Sequence, residues 1–85
     1  MTYEIRYVEW IDTIGGSAWE PIEGIIGQRP VKIKTAGFVL DEGDSHVTIL
    51  QSYDERTAGR PHGDNSITIP KFAIQKSQTV RKARK

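Results

Sequence analysis

Residues 31–51 read VKIKTAGFVLDEGDSHVTILQ, and the reading of this stretch decides the fold. Val31 and Ile33 alternate with Lys32 and Lys34, the period of two expected of a strand with one buried face. Ala36, Phe38 and Leu40 then carry the apolar pattern one residue out of phase, with Gly37 at the change. A single long strand that bends at Gly37 and serves two faces of a curled sheet accounts for the shift. Asp41-Glu-Gly-Asp44 supplies the chemistry of a hairpin turn. His46-Val-Thr-Ile-Leu-Gln51 is the return strand, with Val47 and Ile49 facing inward.

Toward the N-terminus, Tyr3, Ile5 and Tyr7 alternate with Thr2, Glu4 and Arg6, again the pattern of a strand. Val8-Glu-Trp-Ile11 then changes the inward face, which predicts a bulge or sharp twist near Tyr7–Val8 and places Trp10 in the core. Asp12-Thr-Ile-Gly-Gly-Ser17 closes the strand. Ser17-Ala-Trp-Glu20 matches a capping box, and Trp19, Ile22, Glu23 and Ile26 recur at helical spacing. Pro21 falls in the first turn, and Gly24 and Gly27 keep the element short. The expectation is a short helical turn laid over one end of a sheet, with Trp19 packed as part of a lid or core. An exposed Trp19 serving as an interface anchor is the alternative.

Toward the C-terminus, Ser52 to Ser66 is polar and lacks apolar periodicity, so it is read as a long functional or disordered loop. Ser66-Ile-Thr-Ile69 alternates once more. Pro70 blocks a central ladder position, so Pro70-Lys-Phe-Ala73 is read as one 3₁₀ turn leading to a short last strand from Ile74. The fold class is therefore mainly β, a small strongly curved antiparallel sheet or an SH3-like or Sm-like barrel of about five strands with one short helical turn. An open antiparallel sheet with the helix packed on one face is its competitor.

Charge divides the chain. Residues 76–85, KSQTVRKARK, carry +5, whereas residues 1–75 carry −4. The organisation expected is a single β domain over 1–75 and a flexible basic tail over 76–85. A domain this small buries only roughly 60–65% of the surface its unfolded chain exposes, so homo-oligomerisation is a further expectation. The chain holds no cysteine, which removes disulfides and thiolate chemistry. With no apolar run of ~18–20 residues and no signal-peptide pattern at the N-terminus, the expectation is a cytoplasmic protein with no membrane partner.

Signatures of enzymes and cofactors are missing from the letters. There is no phosphate loop, no G-x-G-x-x-G and no H-E-x-x-H, and Asp41-Glu-Gly-Asp44 does not meet EF-hand spacing. Ser45 and His46 are strand neighbours that point to opposite faces, so they are poorly placed to exchange a proton. No nucleophile, base and orienter can be named together. The expectation is a protein without catalytic residues, metal or cofactor.

Val8-Glu-Trp-Ile-Asp12 followed by Trp19, then Thr35-Ala-Gly-Phe-Val-Leu40, then Ile67-Thr-Ile-Pro-Lys-Phe-Ala-Ile74 form a pattern spread over most of the body. In these residues the chain resembles a loose group of small phage- and prophage-encoded proteins of unassigned function. The resemblance implies an accessory phage product acting on host physiology or defence, and it brings no catalytic residues.

Three readings of function follow. The first is a non-enzymatic binding module that occupies a host protein in the host cytoplasm through the 53–66 loop and Trp19. The second is a sponge for a nucleotide or other phosphorylated small molecule, with Arg56, Arg60, His62 and Lys71 as cationic donors and Tyr53 as a stacking face. For the loop residues the competing view is a solvated segment that only adds solubility. The third is a weak nucleic-acid binder that uses Lys32 and Lys34 with Arg81, Lys82, Arg84 and Lys85 of the basic end.

Overall fold

The computed structural model of the chain describes residues 2–13, 19–55 and 60–84. Five strands, β1 (Ile5–Asp12), β2 (Val31–Glu42), β3 (His46–Asp54), β4 (His62–Pro70) and β5 (Ile74–Arg81), are joined by a short helix α1 (Ile22–Ile25) and a 3₁₀ turn (Lys71–Ala73). The strands form one antiparallel sheet in the order β4-β3-β2-β1-β5.

β2 organises the sheet. It pairs with β1 from Val31 to Phe38 and with β3 from Phe38 to Glu42, so its partner changes at Gly37–Phe38, where the sequence pattern changes phase. The backbone of β3 comes so close that a Cβ on Gly37 would lie 2.7 Å from both Ile49 Cγ2 and the Leu50 carbonyl oxygen. Val8 and Trp10 of β1, Val47 and Ile49 of β3 and Ile69 of β4 form one buried cluster, flanked by Ile33, Val39, Ile67 and Ile74. In a flat sheet β1 and β4 would stand about 14 Å apart. They share a core because the sheet folds over at the bend of β2. Trp10 completes the cluster, and its Nε1–H donates to Thr35 Oγ1 at 2.9 Å.

Leu50 is buried outside that cluster. Beside it Tyr53 meets Phe38 and Tyr3 edge-on, with ring centroids 4.9 and 5.2 Å apart. These contacts tie the loop end of the β3–β4 hairpin to Phe38 of β2 and to Tyr3.

Several expectations change. The sheet is curled but not closed, because β4 and β5 remain its two outer strands. Residues 76–81 are not a free tail: they form most of β5, which pairs along β1, and Arg84 is bridged to Thr2. The loop expected over 52–66 is largely hairpin, since Ser52, Tyr53 and Asp54 pair with Asp64, Gly63 and His62. Its ladder is backbone bonding between polar residues, which leaves no apolar period to read. The irregularities of β1 fall at Ile5/Arg6 and Glu9/Trp10 against β5, not at Tyr7–Val8.

The helix differs as well. It starts after Pro21, which occupies the N-cap without a side-chain cap, and none of its four residues is buried. Ser17, the head of the expected capping box, lies outside the described residues. The chain is consequently extended, with a radius of gyration of 16.8 Å against about 12 Å for a compact chain of this length. Its accessible area is 6833 Å², where a compact 9.6 kDa monomer would show about 5,100 Å².

Candidate functional site

Between the end of β1 at Asp12 and the start of β2 at Val31, the described residues 13 and 19–30 join no strand of the sheet. Along this excursion Trp19 is 103% exposed, and Ile22 and Ile26 are 71% and 72% exposed. A lone four-residue helix cannot hold itself together by propensity, so the excursion keeps its apolar side chains without a core to receive them. Leaving a tryptophan in water forgoes about 4–6 kcal/mol, at ~25 cal/mol per Å² over an area of ~150–250 Å². The expected packing of Trp19 is therefore replaced by full exposure.

A second apolar feature stands at the foot of the excursion. Phe72, at the middle of the 3₁₀ turn, is 93% exposed. It borders an open hollow of about 350 Å³ lined mainly by Ile11, Pro30, Phe72 and Ala73. Pro70 sets the turn: it is the last residue of β4 and has no N–H to carry the ladder further, and the 3₁₀ turn redirects the chain before β5 begins. Thr13 and Pro30, where the excursion departs and returns, also line the hollow. The two ends of the excursion thus meet Phe72 at this hollow.

Of the residues expected to bind a phosphorylated ligand, Tyr53 and His62 line one hollow, and the rest are not brought to it. Arg56 lies outside the described residues. Arg60 and His62 are exposed at the far end of the β3–β4 hairpin, where His62 pairs with Asp54. Lys71 follows Pro70, which pairs with His46 at the opposite end of that hairpin. Eight strand residues separate the two ends, about 26 Å. The Lys71 ammonium is also engaged, 3.0 Å from Glu42 Oε2. The hollows beside Tyr53 are walled by Asp54, Glu55 and Asp64, which disfavour an anion. Burial, followed by the Glu55 charge, pushes the Tyr53 phenol above its ordinary value.

Ionic contacts elsewhere are structural. Arg6 reaches Glu4 and Glu42, each at 2.8 Å, and Thr79 Oγ1–H donates to Glu4 at 2.7 Å. Arg6, followed by Lys71, holds the Glu42 carboxyl at about 2. Glu4 is lowered chiefly by Arg6. The Tyr7 hydroxyl and then Lys32 hold Glu9 at about 2. Because these carboxyls have lower values folded than unfolded, the stability they add is complete above their unfolded range and is lost as pH falls through it toward about 2. Urea midpoints should be flat from pH 7 to 5 and fall progressively between pH 4.5 and 2. Arg6→Met should lower the midpoint at pH 7 and flatten that acid limb. An unchanged acid limb in the variant would show that the Arg6 cluster is not its source.

Among the described residues no group of three or more His, Cys, Asp or Glu side chains is placed to hold a metal ion, and no helix is long and apolar enough to cross a membrane. Sequence reasoning singled out Trp19 but missed Phe72, whose exposure depends on how the turn after Pro70 sits on the sheet. No protein-family model matches the chain, and no curated protein or solved structure matches it.

Proposed function

We propose that this chain is a non-enzymatic, phage-type accessory binding module that acts by occupying a host protein. The contact surface is the excursion bearing Trp19, Ile22 and Ile26 together with Phe72, instead of the 53–66 segment. The observation that carries this reading is the full exposure of Trp19 and Phe72, with the hollow beside Phe72 lined by Thr13 and Pro30, where the excursion departs and returns. Buried aromatic anchors dominate the energetics of protein interfaces; Phe72 borders the apolar hollow, and Trp19 stands unburied on the excursion whose two ends line it. The excess of accessible area, about 1,700 Å² over a compact monomer of this mass, is about twice the ~800 Å² that one partner contributes to a standard interface. A lipid surface suits the excursion less well, since Glu20 and Glu23 flank its apolar residues and anionic headgroups would repel them.

The chain path supports the same reading. Two outer strands linked through a 3₁₀ turn, with β2 bent at a glycine, are similar to the path of SH3-like and Sm-like barrels, folds used widely for binding. The resemblance to small phage proteins makes a protein of the host cytoplasm the partner.

The test is affinity capture from host extract with the parent chain, Trp19→Ala and Phe72→Ala. One partner should be retained by the parent and depleted at least tenfold by both variants, the loss expected for anchors worth ~2 kcal/mol or more. Melting temperatures of the variants should stay within about 2 °C of the parent, because neither ring supports the core. Equal capture by all three proteins would remove these residues from the contact surface.

A further inference from the structure

Register places a set of cations on the outer face of β2, β1 and β5. Lys34, Glu9 and Lys76 stand side by side across these three strands, because Glu9 pairs with Lys34 on one side and Lys76 on the other. The next row along the same face is Ala36, Tyr7 and Gln78, and the row after that is Phe38, Ile5 and Arg81. Lys32 lies two residues from Lys34 and so projects from the same face. Paired residues in a ladder share a face, so Lys32, Lys34, Lys76 and Arg81 form one patch instead of a dispersed surface charge. By strand geometry Lys34 and Lys76 stand about 10 Å apart, and Arg81 lies about 13 Å farther along.

The acids of this patch are occupied. Glu9 accepts a hydrogen bond from the Tyr7 hydroxyl at 2.6 Å and an ion pair from Lys32 at 3.0 Å. Lys34, Lys76 and Arg81 are exposed and face solvent. The opposite sign gathers elsewhere, with Asp41 and Glu42 at the far end of β2 and Asp44, Asp54, Glu55 and Asp64 on or beside β3 and β4. The modest net charge hides this segregation.

We propose that the outer face of β2-β1-β5 binds single-stranded nucleic acid. Lys34, Lys76 and Arg81 contact the phosphates, joined by Lys32 when it exchanges Glu9 for a phosphate, and Tyr7 offers a stacking surface between them. Tyr7 is half-buried and is flanked in its row by the small Ala36 and the flexible Gln78, which leaves part of its ring open. Cations tracking a backbone around an aromatic platform are the arrangement that single strands use. A duplex is less well served: the patch lies on the broad face of a sheet and carries no helix or ribbon to enter a groove. This surface is distinct from the Trp19–Phe72 surface and does not depend on it. It also differs from a flexible basic tail, because Lys76 and Arg81 are fixed in a strand.

The test is fluorescence anisotropy with labelled dT15, a duplex of equal length and polyglutamate, using the intact chain. The single strand should bind at 50 mM salt and weaken roughly 15- to 60-fold at 200 mM, the range for about four phosphate contacts. Lys34→Glu with Lys76→Glu should lower affinity at least tenfold, and Tyr7→Leu should lower it several-fold with little change in salt slope. If the charge reversal unfolds the chain by circular dichroism, Lys34→Gln with Lys76→Gln takes its place and should lower both affinity and salt slope. Trp19→Ala should bind dT15 as the parent does. Absence of binding at 50 mM salt, equal binding by the charge variants, or tighter binding of duplex or polyglutamate would each overturn the proposal.

Discussion

Trp10→Ala is expected to cost about 3–5 kcal/mol of folding free energy, the range for removing a large aromatic side chain from a packed core. The whole domain holds only about 4–13 kcal/mol at ~0.05–0.15 kcal/mol per residue, so the variant loses a large part of its stability or fails to fold. The effect is this large because of where Trp10 sits. It is 7% exposed and pairs with Ile33 on β2 and Ile74 on β5. In the same cluster it meets side chains from β3 and β4 that reach it across the fold of the sheet. Deleting the indole therefore empties the space between two halves of the sheet that no other large ring fills. The indole also donates to Thr35, a bond that Trp10→Phe removes while keeping most of the apolar volume. The expected order of stability is parent, then Trp10→Phe down by roughly 1–2 kcal/mol, then Trp10→Ala. Urea unfolding followed by circular dichroism reads this directly, with a midpoint shift of about 2 M for the alanine variant at a slope of ~1–3 kcal/mol per M. A shift below about 0.5 M would mean that the two halves do not share one core.

What could be read in the letters was whatever an inward face imposes on them. Gly37 falls where β2 changes partners, but the out-of-phase set Ala36, Phe38 and Leu40 did not mark the core, since Ile33 and Val39 pack on it and Leu40 is exposed. Trp10, Val47 and Ile49 were legible as core because alternation places them on the buried side. Pro70 announced the 3₁₀ turn before the last strand. β5 was not legible as a full strand. Its residues from Gln75 to Arg81 are exposed, so the element is held by a backbone ladder to β1 and by polar contacts such as Thr79 to Glu4, neither of which demands apolar periodicity. The outer part of the β3–β4 hairpin escaped for the same reason. The candidate site failed differently. Trp19, Phe72 and the core residues are all apolar letters, and only three-dimensional placement separates an anchor left in water from one packed inside. The basic patch required the register, because Lys32, Lys34 and Lys76 are more than forty residues apart at their extremes and meet only across Glu9.

Gly37→Ala is the second large effect expected, and it tests how the sheet bends. An added Cβ would lie 2.7 Å from Ile49 Cγ2, 2.7 Å from the Leu50 carbonyl oxygen and 3.3 Å from its carbon. Ile49 is only 2% exposed and locked in the core cluster, and the Leu50 oxygen belongs to the backbone of the neighbouring strand. Neither can give way cheaply. β2 must then move away from β3 at the residue where it exchanges partners, loosening Phe38–Leu50 and Val39–Ile49 together. Overpacking of this kind costs about 1–3 kcal/mol, and Gly37→Val should exceed the alanine value. Gly24 is the internal control, since a Cβ there meets nothing within 4 Å and the residue sits in a helix. Gly24→Ala should leave stability unchanged or raise it by up to about 1 kcal/mol. Amide hydrogen exchange adds a local readout: Val39, Leu50 and Ile49 amides should lose protection in Gly37→Ala before those of β1 and β5 do. If both glycine variants melt alike and exchange stays uniform, close approach of β3 at Gly37 is not what fixes the bend. The curl would then arise from the core alone, which Trp10→Ala would already have emptied.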